Sequence, residues 1–158
     1  MEFNTNIFEQ FNTQWALVCA GTMEDHNAMT ISWGGMGTLW GKPVVTVYVK
    51  PCRHTYQYMN DNDFFTVSFY DEAYRPALAL MGSLSGRDTD KEKEAGLHAC
   101  VCKDSVSYEE AAVTLVCRKI YWNDLLKENM PEEAIRHHYQ TEEPHRMYIG
   151  EVVDIIRR

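Results

Sequence analysis

Short segments of β-forming residues, separated by turn residues, constrain the fold of this chain more than any other feature. Seven such segments are rich in β-branched and aromatic residues and are bounded by Gly, Pro, Asn or Asp, which is typical of strands that end in turns. The predicted strands are Trp15–Ala20, Ala28–Trp33, Val44–Lys50, Phe64–Tyr70, His98–Lys103, Ala112–Trp122 and Met147–Ile156. The pattern favours a mainly β fold, an antiparallel barrel, over alternating strands and helices.

Helical signals are few and short. The predicted helices are Thr55–Asn60, Arg75–Gly82 and Met130–Tyr139. Gly34, Gly35 and Gly37, with Gly41-Lys42-Pro43 after them, predict a turn between the second and third strands. No internal repeat and no linker rich in Pro or Ser divides the chain, so residues 1–158 are predicted to form one domain.

The composition argues against two classes of function. The formal net charge is −8, which disfavours non-specific binding of nucleic acid, because a phosphate backbone attracts a basic surface. A few local Arg and Lys residues can still form a basic pocket for a phosphate ligand. No run of about 18 apolar residues is present, so no segment is predicted to span a membrane. Residues 1–14 are polar and acidic, unlike a signal peptide.

Five cysteines without an export signal predict reduced thiols in a cytoplasmic protein. They are Cys19, Cys52, Cys100, Cys102 and Cys117. The alternation in Cys100-Val101-Cys102 places two thiols on one face of a strand. A redox or metal-binding pair is one interpretation of this spacing. We favour a pair of buried thiols, because free Cys is among the most buried residue types.

Standard motifs for nucleotides, metals and a nucleophilic serine do not occur in the sequence. Trp40 follows Gly35-Met36-Gly37 where a dinucleotide fingerprint needs a third Gly, and Gly82–Asp88 lacks the Gly-Lys-Ser/Thr ending of a P-loop. His137 and His138 are adjacent, and on a helix they would point about 100° apart, which does not suit one metal ion. No Gly-x-Ser-x-Gly elbow is present. We therefore predict no metal ligand and no catalytic side chain.

The turn Gly82–Lys91 has the composition of an anion site. Gly86 can adopt a positive φ, and successive backbone N–H groups in such a turn attract oxyanions. Hydroxyl, guanidinium and ammonium donors lie in the same turn. These donors are Ser83, Ser85, Arg87 and Lys91.

A second candidate group follows Pro51, where a predicted strand gives way to a helix. Arg53 and Thr55 lie two residues apart there. If the helix begins near His54, its free N–H groups and the guanidinium would hold a phosphate jointly.

The third candidate segment is the predicted strand Asn27–Trp33. Met29 and Trp33 would flank a flat ring while backbone groups of the strand bond the polar edge of that ring. Alternation divides the segment between two faces. One face has Asn27, Met29, Ile31 and Trp33, and the other has Ala28, Thr30 and Ser32.

Each of the three segments also has a simpler explanation. Gly82–Lys91 would be a solvated connector, with Asp88-Thr89-Asp90 capping a helix over Lys91–Ala95. Arg53 would be an exposed charge at the end of a strand. Asn27–Trp33 would be a barrel strand with one core face.

Taken together, these segments resemble the flavin reductase-like family of FMN-binding split barrels, over Trp15–Asp154. The motifs that carry the resemblance are Asn27–Trp33, Arg53–Thr55, Phe65–Ser68, Ser85–Lys91 and His145–Val152, with Glu109–Leu115 matching more loosely. The resemblance implies a Greek-key split β-barrel, a homodimer, and FMN near the subunit interface. One departure is the short stretch between Tyr139 and His145, where relatives are expected to have a longer loop.

The same resemblance implies roles for individual residues. Arg53 and Thr55 would bind the FMN phosphate, with help from Ser85, Arg87 and Lys91. The ribityl chain and the ring would be lined by Asn27, Thr30, Ser32 and Trp33. The edge of the pocket would be formed by His145 and Tyr148.

The function that the resemblance implies is an FMN-binding oxidoreductase, either an NAD(P)H-dependent flavin reductase or an electron carrier of the flavoredoxin type. NADH or NADPH would be a transient donor, and a small molecule or a protein would be the electron acceptor. FMN carries the redox chemistry itself, so no catalytic side chain is required. Two alternatives stay open: a non-catalytic split barrel that binds FMN, another flat cofactor or a partner protein, and a barrel without a ligand.

Overall fold

The computed structural model describes residues 2–158, in which nine strands and five short helices alternate irregularly. The strands are Ala16–Gly21 (β1), His26–Ile31 (β2), Gly34–Leu39 (β3), Lys42–Val49 (β4), Phe64–Phe69 (β5), Ala99–Cys102 (β6), Ser105–Tyr108 (β7), Val113–Asp124 (β8) and Arg146–Arg157 (β9). The helices are Ile7–Asn12 (α1), Thr55–Asp61 (α2), Arg75–Ser83 (α3), Lys91–Ala95 (α4) and Glu132–His138 (α5), with 3₁₀ turns at Glu72–Tyr74 and Lys127–Asn129. Within the described part of the chain, no helix has the length and apolar character needed to cross a membrane.

The main sheet curls into a barrel because of one short connection. Its seven strands are antiparallel and follow the order β2-β1-β5-β8-β9-β4-β3. The two strands at opposite ends of this order, β2 and β3, are consecutive in the chain and are joined only by Ser32 and Trp33. A link of this length spans at most roughly 10 Å, so it draws the ends of the sheet together. The result is the predicted split β-barrel, with its split at Ser32 and Trp33.

Strand β1 explains why the barrel has a core on both sides of its wall. Its alternate residues Ala16, Val18 and Ala20 belong to the core inside the barrel. Leu17 and Cys19 pack on the outside, where α3 and the small β6–β7 sheet cover them. Because both faces are buried, the strand reads as a continuous apolar run instead of alternating with polar residues.

The structure corrects the prediction of a glycine-rich turn. Gly34, Gly35 and Gly37 lie within β3, which pairs with β4 along its whole length. The connection itself is confined to Trp40 and Gly41, both with positive φ. Pairing with β4 outweighs the low strand propensity of glycine here. At Gly34 a Cβ would lie 2.6 Å from the Phe11 ring, so glycine is required for α1 to pack against β3.

Helix α1 and strands β3 and β7 were not predicted from the sequence, and α4 was expected only under the simpler explanation of the Gly82–Lys91 turn. The seven predicted strands and three predicted helices are all present, with ends that shift by at most two residues. Each of the missed elements is short and depends on a partner elsewhere in the chain. Strand β7, for example, has four buried residues and pairs only with β6.

Candidate functional site

Two adjoining depressions lie at the split of the barrel. The first, which we call the aromatic depression, has a volume of about 250 Å³, and the second, the basic depression, about 100 Å³. Both are bordered by Met29 and Arg53, so they form one continuous groove. The predicted residues Thr30, Ser32, Trp33 and Arg53 line the aromatic depression. The predicted residues Asn27, Arg53, Thr55, Ser85 and Lys91 line the basic depression.

The basic depression contains two cations without a carboxylate partner. Nη2 of Arg53 donates to the carbonyl of Gly82 at 2.8 Å. Nζ of Lys91 lies 3.2 Å from the carbonyl of Met81 and 3.4 Å from that of Leu84. Neither cation takes part in any ion pair of residues 2–158. Carbonyl dipoles orient these cations but leave their charge uncompensated, which favours an anionic ligand.

Lys91 is 4% exposed, which is unusual for a lysine. Burial and, to a smaller extent, the nearby positive charge of Arg53 together lower its pKa to about 8. An anion bound between the two cations would stabilise the protonated form of Lys91. The depression is therefore organised before a ligand arrives, and at a cost to the folded protein.

His54 is a residue of the basic depression that the sequence did not single out. Its Nδ1 is buried and has no hydrogen-bond partner among the described residues. Burial lowers the pKa of its imidazole, and the positive charges of Arg87 and Lys91 act in the same direction. A buried nitrogen that lacks a partner is rare in folded proteins, and a ligand atom would satisfy it. Only its position beside Arg53 in the sequence hinted at this role.

Gly86 shapes the basic depression through space, and the prediction of a positive φ at this residue is wrong. The glycines with positive φ in the described chain are Gly21, Gly41 and Gly96. A Cβ on Gly86 would overlap Oδ1 of Asn27. Nδ2 of that same amide donates to Oγ1 of Thr55 at 2.7 Å. Glycine therefore permits the turn to approach β2 closely enough to bring three separate segments together.

The other predicted residues differ in whether they line the groove and whether their polar groups are free to bind a ligand. Arg87 is exposed at the rim, where Nη1 donates to the carbonyl of Cys52 at 3.1 Å, and it does not line the groove. The hydroxyl of Thr30 donates to the carbonyl of Leu78 at 2.5 Å, so its proton is used to hold α3. The alternative reading of the turn also holds in part, because Oδ1 of Asp90 accepts from the backbone N–H of Lys93 at 3.3 Å and caps α4.

The aromatic depression is built around Trp33. The centroid of its indole lies 5.0 Å from that of His138 and 5.1 Å from that of His145. The hydroxyl of Tyr139 and Nδ1 of His145 are 2.7 Å apart. Lys50 also borders the depression, but it forms an ion pair with Glu142. Apart from Arg53 at its boundary with the basic depression, the aromatic depression thus contains flat rings and a cation whose charge is already balanced.

His145 is neutral under ordinary conditions. Burial lowers its pKa to about 4, and the positive charge of Lys50 contributes in the same direction. His145 lines the aromatic depression, but Tyr148 does not. Tyr148 is fully buried and its hydroxyl donates to Oδ1 of Asn60 at 2.7 Å. The position of Tyr148 at the edge of the pocket was therefore predicted wrongly, because alternation in β9 turns this side chain into the core.

The cysteine pair lies outside this groove. Cys102 on β6 is buried, as predicted, whereas Cys100 is only half-buried and lies 2.9 Å from Nη2 of Arg158. Within residues 2–158, no group of three or more His, Cys, Asp or Glu side chains is placed to hold a metal ion. The groove combines unpaired positive charge, aromatic rings and a buried polar atom without a partner. A ligand that is anionic at one end and planar at the other fits it.

Solved structures with the same fold include the following three. The chain is similar to a flavoredoxin from Methanosarcina acetivorans, with a TM-score of 0.74 and 17% identity, over 100% of this chain and 75% of that one. It is similar to an FMN-binding protein from Thermus thermophilus with bound p-hydroxybenzaldehyde (TM-score 0.73, 17% identity, 99% and 78% covered). A third is the FMN-binding domain of a flavin reductases-like enzyme from Shewanella baltica (0.68, 19% identity, 94% and 71% covered). At these identities the likeness shows the fold alone.

Comparison of the amino-acid sequence with known proteins tests the family assignment separately from the likeness of the fold. None of the proteins with curated descriptions matches the chain. A family model, the flavin reductase like domain, matches residues 8–158, which is nearly the whole chain. The match includes all three segments that form the groove. The protein therefore belongs to the flavin reductase-like domain family.

Proposed function

We propose that this protein is an FMN-binding oxidoreductase, either an NAD(P)H-dependent flavin reductase or an electron carrier of the flavoredoxin type. The observation that carries the proposal is the groove itself. It joins a depression with two uncompensated cations to a depression lined by aromatic rings. FMN has the matching chemistry, with a phosphate at one end and a planar isoalloxazine ring at the other.

The phosphate would lie in the basic depression. Arg53 and Lys91 would each contribute a charge-assisted hydrogen bond, and Nδ1 of His54 would gain the partner that it lacks. The hydroxyls of Thr55 and Ser85 line the same depression. Arg87 would act from the rim through its charge. Two full charges and several neutral donors around one phosphate predict a clear preference for FMN over riboflavin.

The ring would lie in the aromatic depression, beside Trp33 and the neutral imidazole of His145. Asn27, Thr30 and Ser32 would contact the ribityl chain and the polar edge of the ring. When bound, FMN supplies the hydride and electron-transfer chemistry of the site. The protein's residues hold and orient it and limit access of water, so no acid or base side chain is assigned.

NADH or NADPH is the proposed electron donor. The chain has no nicotinamide-binding fingerprint, so the donor would stack transiently on an exposed face of the ring. The depression around Trp33 is open to solvent, because this residue is 41% exposed, and the open position supports such access. A protein acceptor would make the molecule a carrier, and a small-molecule acceptor would make it a reductase.

Flavin titration tests the cofactor assignment. Purified protein is titrated with FMN and with riboflavin, and quenching of flavin fluorescence reports binding. We expect tighter binding of FMN. Equal affinity for both flavins would remove the phosphate role from the basic depression, and no binding of either would refute the flavin assignment.

Anaerobic reduction separates an enzyme from a binder. FMN-loaded protein mixed with NADH or NADPH should lose its flavin absorbance, and excess free flavin should restore it through many turnovers. We expect a KM towards the upper part of the usual range of about 1 μM to 1 mM, because the donor makes few contacts. Reduction by dithionite alone would point to a carrier that is reduced by another protein, or to the non-catalytic alternative.

We also propose a homodimer in the cytoplasm. Large apolar side chains are exposed at Trp40, Trp122 and Leu126, and exposed apolar surface is typical of interfaces. The edge strands β2 and β3 are further surfaces that a two-fold partner can cover. The free cysteines support a reducing compartment. Light scattering should give twice the mass of the chain, and a monomer at micromolar concentration with FMN bound would contradict the dimer.

A further inference from the structure

A third cavity adjoins the groove and lies outside the two depressions that form the proposed FMN site. It is a cleft of about 870 Å³ between α1 and β3, and we call it the α1–β3 cleft. Ser32, Trp33 and Tyr48 line both this cleft and the aromatic depression. The two cavities are therefore continuous at the split of the barrel. A molecule in the cleft would lie next to whatever ring occupies the aromatic depression.

The α1–β3 cleft differs from the groove in charge. None of the residues that line it is an Asp, Glu, Lys, Arg or His. Two cations border the neighbouring aromatic depression, and neither of them lines the cleft: Lys50 is paired with Glu142, and Arg53 lies at the boundary with the basic depression. A phosphate or sulfonate bound against these walls would lose the water molecules that solvate its charge. It would gain no cation or ion pair in return. The cleft therefore selects against the diphosphate of a nicotinamide donor and against phosphorylated flavins.

The walls of the α1–β3 cleft suit a flat ring that has carbonyl groups. Phe8 lines the cleft and is 87% exposed, which leaves an apolar ring largely uncovered. Met36 on β3 and Trp33 provide further apolar surface. Asn6 caps no backbone group of α1, so its amide is free to donate to a carbonyl oxygen. Aromatic side chains with a few amide and hydroxyl donors are typical of sites for small uncharged rings.

We propose that the α1–β3 cleft binds the electron-accepting substrate, and that this substrate is an uncharged, planar carbonyl compound of the quinone type. The inference rests on the proposed function, because it assigns the acceptor of the same site. The quinone becomes a hydroquinone by gaining two electrons and two protons, all of them lost by the cofactor in its two-electron-reduced form. Donor and acceptor thus differ in charge, and the cleft discriminates between them.

Two glycines on β3 provide a matched pair of variants. A Cβ at Gly35 or at Gly37 would meet no atom within 4 Å, so either position accepts a larger side chain without a clash. Gly35 lines the cleft and Gly37 does not. Gly35→Leu should fill the cleft, and Gly37→Leu should leave it open on the same strand. Phe8→Ala is a further variant, at a position too exposed to affect folding.

The probes are two naphthoquinones of nearly equal shape. Menadione is uncharged, and lawsone has an ionised hydroxyl in place of the methyl group at neutral pH. Equilibrium dialysis of the full chain, with and without saturating FMN, measures the affinity for each. We expect menadione to bind more tightly than lawsone, with an affinity about tenfold lower in Gly35→Leu, a few-fold lower in Phe8→Ala, and unchanged in Gly37→Leu.

Flavin affinity is measured in parallel by fluorescence quenching and should be the same in all three variants. Equal binding of menadione and lawsone, or menadione binding that Gly35→Leu does not weaken, would overturn the proposal. If FMN fails to bind the wild-type chain while the menadione pattern holds, the cofactor assignment fails and the cleft stands. The two failures are therefore distinguishable.

Discussion

The basic and the aromatic depressions adjoin at the split of the barrel, yet they treat charge in opposite ways. Arg53 and Lys91 are held by backbone carbonyls and have no carboxylate partner in the described chain. Lys50, in the aromatic depression, is paired with Glu142. One end of the groove therefore has unbalanced positive charge, and the other is nearly neutral. A ligand is oriented by this difference before any specific contact forms.

Two bases illustrate the same contrast. Burial and a neighbouring cation lower the pKa of both Lys91 and His145, the first to about 8 and the second to about 4. At neutral pH the lysine is therefore mostly charged, although it is buried, whereas the histidine has lost its charge. The basic depression therefore contains a buried positive charge on Lys91 that an anionic ligand would compensate. In the aromatic depression, His145 has no charge to compensate. In the basic depression, the charges that strengthen ligand binding should therefore lower the stability of the ligand-free protein. In the aromatic depression no such conflict is expected.

The largest expected effect separates the two depressions through Arg53. Arg53→Ala removes a charge-assisted contact of about 1.5–3 kcal/mol, so FMN affinity should fall roughly ten- to a hundredfold. Riboflavin affinity should fall much less, because riboflavin has no phosphate. Flavin fluorescence quenching measures both, and Arg118→Ala, an exposed arginine paired with Glu151, is the control. Equal losses for the two flavins would make Arg53 a structural residue.

Lys91 tests whether the basic depression sacrifices stability for binding. Lys91→Met should lower FMN affinity about tenfold and raise the free energy of unfolding of the ligand-free protein by about 1 kcal/mol at pH 7. The folded pKa is about 8 against an ordinary 10.5, so the wild-type protein gains stability between these pH values as the buried ammonium loses its proton. The advantage of the variant should therefore shrink by pH 10. Urea denaturation at both pH values measures it, and a variant that is less stable at pH 7 would contradict this view of the site.

Trp33 provides the complementary test on the aromatic side. Trp33→Ala should weaken FMN and riboflavin by the same factor, about three- to tenfold, because it removes ring contact and no charge. Tyr121→Ala, at an exposed aromatic residue of β8 that lines neither depression, is the control. Titration with both flavins reads out the ratio of affinities. A ratio that changes as it does in Arg53→Ala would mean that the two depressions do not divide the ligand as proposed.

The smallest expected effect is on acid stability and comes from His145. Its folded pKa is about 4 against an ordinary 6.5, so between these values the unfolded chain binds a proton that the folded chain does not. Its contribution to stability is present above pH 6.5 and is lost as the pH falls towards 4. His145→Gln should make the stability fall less steeply with decreasing pH in this range than it does in the wild-type protein. His137→Gln, at an exposed position, should not have this effect. Thermal unfolding at pH 4.5 and 7 compares them.

Features that depend on local pattern could be predicted from the sequence alone. The β-branched and aromatic segments predicted seven of the nine strands, because side-chain shape and turn residues act over a few positions. The segments around Asn27, Arg53 and Ser85 were recognisable as short motifs, and the structure brings all three to one groove.

How those segments meet depends on contacts between distant parts of the chain, which no local pattern predicts. Strand β3 forms from a glycine-rich stretch because β4 pairs with it, and Gly86 is required by the approach of Asn27 and not by its own φ. The free Nδ1 of His54, the outward position of Arg87 and the uncharged α1–β3 cleft leave no local pattern in the chain. Each arises from contacts between residues far apart in sequence, where burial, pairing and charge are properties of the assembled surface and not of any one segment.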